Sequence, residues 1–379
     1  MPALEIKNVI IHEFIKEAKK PIDKSNLFNF RNDVLDPENT IVFGLVNTIT
    51  SLYGKKGNSA YYGVFKENET KRGPIPDHFA TYFAYGDENT QKFIDFTVLI
   101  TEQIAEEAGK ESLSSGGFLI FADYISDGAR YFIITMVKNK PGVRISSNLE
   151  PEELVQLDLS KIHQAARINF ARYERFQNSA ELDKSDFSYL SFISVSNPVD
   201  KNASGYFVTA LGCDKGIPSS RATNQLPFEI NKFFESHEDL QESALNFRKK
   251  IIDYLGEQVS NKMPAKLSDI ESMAKVQMSH LEDERKENLI GLLMERLNSD
   301  DVQIPAEFNV NRKAYEKMKN ISFKTAGFSY TFEKGMLGIS KSADVFYDQT
   351  DKSLTFTNLP ESAQSDIIKV LKDQKIIDE

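Results

Sequence analysis

The sequence predicts an α+β protein in three segments. These are an antiparallel-sheet domain with flanking helices at residues 1–203, a mainly helical segment at 204–319, and a small β-hairpin domain with a closing helix at 320–379. Three observations predict this. Short β-rich runs in the first segment have helices bunched among them rather than alternating with them one for one, which is the α+β pattern. Asp127-Gly128 joins two such runs, a strong hairpin signal. Helical periodicity takes over near Ser204 and yields to strand-like alternation near Ile321.

Leu4 to Phe14 alternates and is rich in β-branched residues, so it reads as a strand. Asp36 before Pro37 predicts the N-cap of a helix whose apolar stripe runs through Val42, Leu45, Val46 and Ile49, ended by the Gly54-Lys55-Lys56-Gly57-Asn58 turn. Pro74-Ile75-Pro76 reads as a loop before a second helix at about Thr90 to Ala108. The runs Phe118 to Ile125 and Ala129 to Lys138 form the central hairpin of the sheet, and further strands are expected at Leu154 to Leu159, Ala166 to Tyr173 and Ser188 to Val195. Ser204 to Leu211, Gln225 to Phe234, Leu240 to Val259, Lys266 to Met278 and Asp283 to Leu297 read as helices. Ser268 with Glu271 fits a capping box, or lies inside a longer helix. Phe323 to Phe332 alternates as one strand, Asp344 to Tyr347 and Ser353 to Thr357 form a hairpin, and Ala363 to Leu371 closes the chain as a helix.

The composition is that of a globular protein, with 40% hydrophobic and 27% charged residues. Phe supplies 27 of the aromatic residues and Trp none, and most of these rings are expected to fill the core because Phe has no polar handle. The lone Cys213 excludes an intramolecular disulfide and a cysteine-clustered zinc site, and it fits a reducing compartment. No signal peptide and no membrane span is apparent, so a cytoplasmic location is expected. The net charge of −10 repels phosphate at long range. Binding to nucleic acid therefore requires Lys and Arg to be gathered on one surface.

No pattern of catalytic chemistry stands out. There is no phosphate-cradling glycine motif, and His12-Glu13 lacks the second histidine of a zinc protease. The five histidines are scattered, and pairs such as Asp300-Asp301 read as solvated faces or caps. No enzyme, metal or cofactor is expected, and Cys213 reads as a partly buried structural thiol. The basic clusters are more informative. Lys138, Lys140 and Arg144 crowd a short loop after a strand, Arg167, Arg172 and Arg175 flank the next strand, and Lys215 and Arg221 bracket the Gly216 to Ser220 loop. Cations on glycine-bearing loops approach phosphate closely, with backbone N–H groups assisting. The candidate nucleic-acid-binding residues are therefore Lys138, Lys140, Arg144, Arg167, Arg172, Lys215 and Arg221.

The block Ser115 to Tyr124 followed by Tyr131 to Val137 resembles the central hairpin of the bacterial nucleoid-associated NdpA (YejK) family. In the same order come Asn148-Leu149-Glu150, Leu157 to His163, Ala165 to Asn169, Ala210-Leu211-Gly212, Asn224 to Phe234, Gly327 to Phe332, Ser353 to Phe356 and Leu359-Pro360, with Ile10 to Phe14 as the opening strand. The resemblance implies a place in the nucleoid, binding of double-stranded DNA and contact with topoisomerase IV. It carries over no catalytic or metal-binding residue. A homodimer is expected to strengthen binding by pairing two modest basic faces. The alternative is a protein-interaction scaffold with weak or no DNA binding, which the negative charge favours.

Overall fold

A computed structural model describes residues 4–54, 59–67, 72–85, 89–159, 162, 164–180, 184, 188–194, 205–215 and 219–377, with no side chain described at 194, 214 or 215. The fold is α+β, as the sequence predicts. The chain divides into two compact units, Met1–Asn311 and Arg312–Glu379.

The first unit is built on an eight-stranded antiparallel sheet of β1 (Leu4–Phe14), β2 (Phe28–Asn29), β3 (Tyr61–Phe65), β4 (Gly117–Ser126), β5 (Ala129–Val137), β8 (Gln164–Asn169), β9 (Leu190–Ser194) and β10 (Cys213–Lys215). Their order across the sheet is β10-β3-β9-β8-β5-β4-β1-β2. The β4–β5 hairpin lies at its centre. Asp127 (φ 52°) and Gly128 (φ 77°) both take left-handed backbone, which matches the twist of the paired strands in a two-residue turn. Leu119 to Tyr124 are buried without a break, because both faces of the sheet are covered. Helix α3 (Thr90–Gly109) packs on one face with Phe121, Phe132 and Ile134, and α1 (Thr40–Leu52) packs on the other with Val9, Ile120 and Ile133.

Several local expectations are corrected. Helix α1 starts later than predicted, because the Asn39 side chain accepts from the Ile41 and Val42 N–H groups. Asp36 instead accepts from Glu38 N at 2.9 Å, closing a turn around Pro37. The Pro74-Ile75-Pro76 stretch opens a helix, α2 (Ile75–Tyr85), since Pro is tolerated in a first turn that needs no N–H donor. The predicted strand Ala166 to Tyr173 stops at Asn169, whose side chain caps the Arg172 N–H at 3.0 Å and starts α4 (Phe170–Asn178). The cationic loop Lys138 to Arg144 is mostly strand. β6 (Asn139–Ile145) pairs with β7 (Pro151–Leu157) in a separate two-stranded ribbon between β5 and β8.

The helices of residues 205–297 belong to the same unit. They are α5 (Gly205–Ala210), α6 (Ser219–Glu235), α7 (Ala244–Asn261), α8 (Leu267–Gln277) and α9 (Asp283–Leu297). Ser268 lies inside α8, which has no side-chain cap. β11 (Pro264–Lys266) pairs with β12 (Glu307–Asn309). Arg296 ties α9 to α6 through Glu229, at 2.6 and 3.0 Å. The segment after α9 is bolted to the sheet by Asn298. Its Oδ1 accepts from Ala60 N at 2.7 Å and its Nδ2 donates to the Ala60 and Ile304 carbonyls, while the Tyr62 hydroxyl donates to the Asn298 carbonyl at 2.6 Å. All of this is buried. Asn298→Ala strands those backbone groups, and a loss of about 3 kcal/mol in urea unfolding is expected.

His12 of β1 is fully buried. Its Nδ1 faces the Arg31 N–H at 3.3 Å, so its Nε2 carries the proton and donates to Thr97 Oγ1 at 2.9 Å. Burial lowers its pKa from 6.5 to about 4. The folded protein therefore keeps this ring neutral while the unfolded chain protonates it. Stability from His12 is complete above pH 6.5 and falls as pH drops towards 4, by about 3 kcal/mol in all. Urea midpoints across this range check it, and His12→Gln is expected to remove that part of the pH dependence.

The second unit contains α10 (Arg312–Lys319), β13 (Asn320–Lys324), β14 (Ser329–Glu333), β15 (Leu337–Gly338), β16 (Val345–Asp348), β17 (Ser353–Phe356) and α11 (Glu361–Asp373). Phe323 to Phe332 is not one strand. It folds back between Thr325 and Phe328, whose backbone N–H and carbonyl bond at 2.8 Å, and the two halves pair as the β13–β14 hairpin. Alternation runs straight through so short a turn, which hides it in the sequence.

Candidate nucleic-acid interface

Cations from three elements meet at the turn that follows α9. Arg167 comes from β8, Arg172 and Arg175 from α4, and Arg221 from the first turn of α6. Arg167 donates to the Asp300 carboxylate at 2.8 Å, Arg172 to the Asp300 carbonyl, and Arg221 to the Asp301 carbonyl at 3.3 Å. The Arg167 guanidinium is held between two rings, 4.3 Å from the centre of Tyr53 and 4.6 Å from that of Tyr131. Burial alone would lower its pKa, but Asp300 and the rings of Tyr124, Tyr53 and Tyr131 raise it overall. Arg167 is thus a fixed, enclosed charge that anchors the turn. It does not reach out to a ligand.

Outside this anchor lies an open basin of about 630 Å³, lined by Arg172, Arg175, Ser220, Arg221, Asn224, Gln225 and Asp301. Its construction follows from local sequence. Asn169 starts α4 so that Arg172 and Arg175, three residues apart, share a helical face. On α6, Arg221, Asn224 and Gln225 share another. The α6 N-terminus adds the positive end of a 17-residue helix. Three guanidiniums, two amides and a hydroxyl face one exposed carboxylate, Asp301, which stands 4.0 Å from Arg172. This set of donors suits an anion with several oxygens, such as a phosphate. A neighbouring cavity of about 940 Å³ shares Arg172 and Asp301 with the basin and is walled by Tyr53, Tyr62, Tyr124, Tyr131 and Arg167.

The remaining candidates lie elsewhere. Lys138 is half-buried and donates to Ser115 Oγ at 2.6 Å, and burial lowers its pKa. Lys140 pairs with Asp158 at 3.1 Å and Arg144 with Glu152 at 2.9 Å, both on the β6–β7 ribbon. Lys215 sits on edge strand β10, opposite Gly63, with its side chain and the following loop 216–218 outside the described residues. Of the seven candidates, the structure gathers Arg167, Arg172 and Arg221 at one place. Asp300, read from the sequence as a solvated or capping residue, is the internal partner of this cluster. No sequence signal joins it to Arg167, 133 residues away. Cys213 is buried, with its thiol 3.3 Å from the Leu211 carbonyl. Among the described residues no three His, Cys, Asp or Glu side chains cluster as metal ligands, and no helix is long and apolar enough to cross a membrane.

A sequence profile described as nucleoid-associated protein YejK matches residues 10–364. The chain belongs to the nucleoid-associated protein YejK family. Relatives named as nucleoid-associated proteins match it along almost their whole length. One from Azotobacter vinelandii, named a nucleoid-associated protein, is 25% identical over 370 residues, covering 98% of this chain and 99% of its own. Another so named, from Pseudomonas entomophila, is 24% identical over 372 residues, covering 98% and 100%. A third, from Metapseudomonas resinovorans, is 25% identical over 357 residues, covering 94% and 97%. The YejK family resemblance read from the sequence is therefore shown.

Proposed function

We propose that this chain works at the nucleoid by binding double-stranded DNA through phosphate contacts, with little sequence preference. The observation that carries the reading is the basin at the start of α6 that Arg172, Arg175 and Arg221 line, with Arg175 the exposed member. The family and the names of its members support an association with DNA. Arg167 supports the basin from behind. Lys138, Lys140, Arg144 and Lys215 are secondary contacts in this reading, the ribbon pair weakened by their own acids.

Fluorescence anisotropy with a mixed-sequence duplex at low salt tests the assignment. Arg175→Glu with Arg221→Glu is expected to weaken binding at least about tenfold, since each lost charged contact is worth about 1.5–3 kcal/mol. Lys140→Glu with Arg144→Glu is expected to cost less. Unchanged affinity in the arginine variant overturns the basin as the DNA site.

A second reading, a protein-interaction scaffold, is favoured by the β6–β7 ribbon. Val143, Val155 and Ile145 stand 70%, 69% and 63% exposed on one face of it. Glu150, Glu152, Glu153 and Asp158 outnumber its cations Lys138, Lys140 and Arg144. Such a surface suits a DNA-processing protein with basic patches, topoisomerase IV in the family reading, or a second copy of the chain. Association that survives nuclease treatment and is lost in Val143→Asp supports this role; complexes that vanish with the DNA contradict it.

A further inference from the structure

We propose that residues 312–341 form a second nucleic-acid face, distinct from the arginine basin, that binds single strands by stacking their bases on exposed aromatic rings. The first observation is charge. This stretch holds seven basic residues against two acids, Glu316 and Glu333, a net of +5 in a chain of net −10. Arg312 pairs with Glu316 and Lys319 with Glu333, each at 2.8 Å. Lys313, Lys317, Lys324, Lys334 and Lys341 are exposed and enter no ion pair among the described residues.

The second observation is a ladder of rings on the β13–β14 hairpin. Tyr330 stacks on Phe323 at 5.8 Å, on Phe328 at 6.3 Å and on Phe332 at 5.6 Å, with interplanar angles of 24–30°. The inner end is fixed, since Phe332 is buried and meets the Phe356 ring edge-on at 5.7 Å. The outer end is open, with Phe323 49% and Phe328 59% exposed. On the opposite face of the hairpin, Ser322 and Thr331 bond through their hydroxyls at 3.0 Å. The two faces therefore differ in chemistry, one aromatic and one polar.

Phe offers a π-face and no hydrogen bond, so it recognises flat rings without reading their edges. Surrounding lysines add attraction to a polyanion and make an acidic or nucleic-acid partner better suited than a neutral protein. In a duplex the base faces are already stacked on each other, whereas a single strand presents them. Aromatic rings beside basic side chains are the physical elements of sequence-tolerant single-strand binding.

The test uses the full chain, a fluorescent thymidine oligonucleotide of about 12 residues and a mixed-sequence duplex, a length within the usual range for one such site. Phe323→Ala with Phe328→Ala is expected to weaken single-strand binding about 10- to 100-fold and to change duplex binding less than about twofold. Phe323→Tyr with Phe328→Tyr retains the rings and is expected to bind the oligonucleotide like the unaltered chain, which separates stacking from folding. Arg175→Glu with Arg221→Glu is expected to show the opposite pattern, with duplex binding lost and single-strand binding kept. A chain that ignores the oligonucleotide, or an alanine variant that binds it unchanged, overturns the proposal and leaves the ladder as a protein-contact surface.

Discussion

Asp123→Ala is expected to remove about 3–5 kcal/mol of stability from the first unit, the cost of breaking a buried ion pair from one side. Asp123 is fully buried on β4. Its carboxylate takes Arg130 Nε at 2.9 Å and Nη2 at 2.5 Å, together with the Tyr82 hydroxyl of α2. The Arg130 guanidinium also lies 4.4 Å from the centre of the Phe170 ring. The group thus joins two adjacent strands and two helices at one point. Truncation removes the Asp123 carboxylate from Arg130 and the acceptor from the Tyr82 hydroxyl. Arg130 is 20% exposed and regains some water, which places the expected loss towards the lower end of that range. Adding Arg130→Met to Asp123→Ala is expected to recover part of it, because removing both charges is far less costly than stranding one. Urea midpoints of the single and double variants measure both effects. A single variant within about 1 kcal/mol of the parent would show that the pair contributes little beyond ordinary packing.

The second large effect is on DNA binding. In the proposed binding mode, three arginines contacting phosphate would release about three counterions, so log affinity is expected to fall by at least about 2.7 per decade of salt, roughly 500-fold. Sequence changes in the duplex are expected to matter little, because phosphate contacts position a protein without reading bases. The negative charge of the whole chain works against this binding at long range, so low salt is the condition in which it is strongest.

Much of the fold is legible where local chemistry and tertiary context agree. Asp127-Gly128 identifies the central hairpin because few other pairs accept two left-handed residues in succession. The span Asp283–Leu297 matches its apolar periodicity end to end. Errors fall where a short polar side chain decides between alternatives. Asn39 rather than Asp36 caps α1, and Asn169 ends a strand that its aromatic neighbours would extend into Tyr173. That second error hid the basin, since Arg172 and Arg175 share a face only once α4 is recognised as a helix. The partnership of Arg167 with Asp300 is a product of the folded topology, which brings the end of α9 to the sheet through Asn298. Most Phe rings are expected in the core, and Phe323 and Phe328 are exceptions, half-exposed on a two-stranded hairpin.

The central claim is that an acidic chain holds duplex DNA with a small group of arginines gathered on one side of α4 and α6. Its most direct measurement is the salt dependence of duplex affinity for the parent chain beside Arg175→Glu with Arg221→Glu. The predicted result is a parent slope of about −2.7 or steeper, the secondary lysine and arginine contacts adding to it, that shrinks by about 1.8 in the variant as two arginine–phosphate contacts are lost. Parallel lines for the two proteins would contradict it.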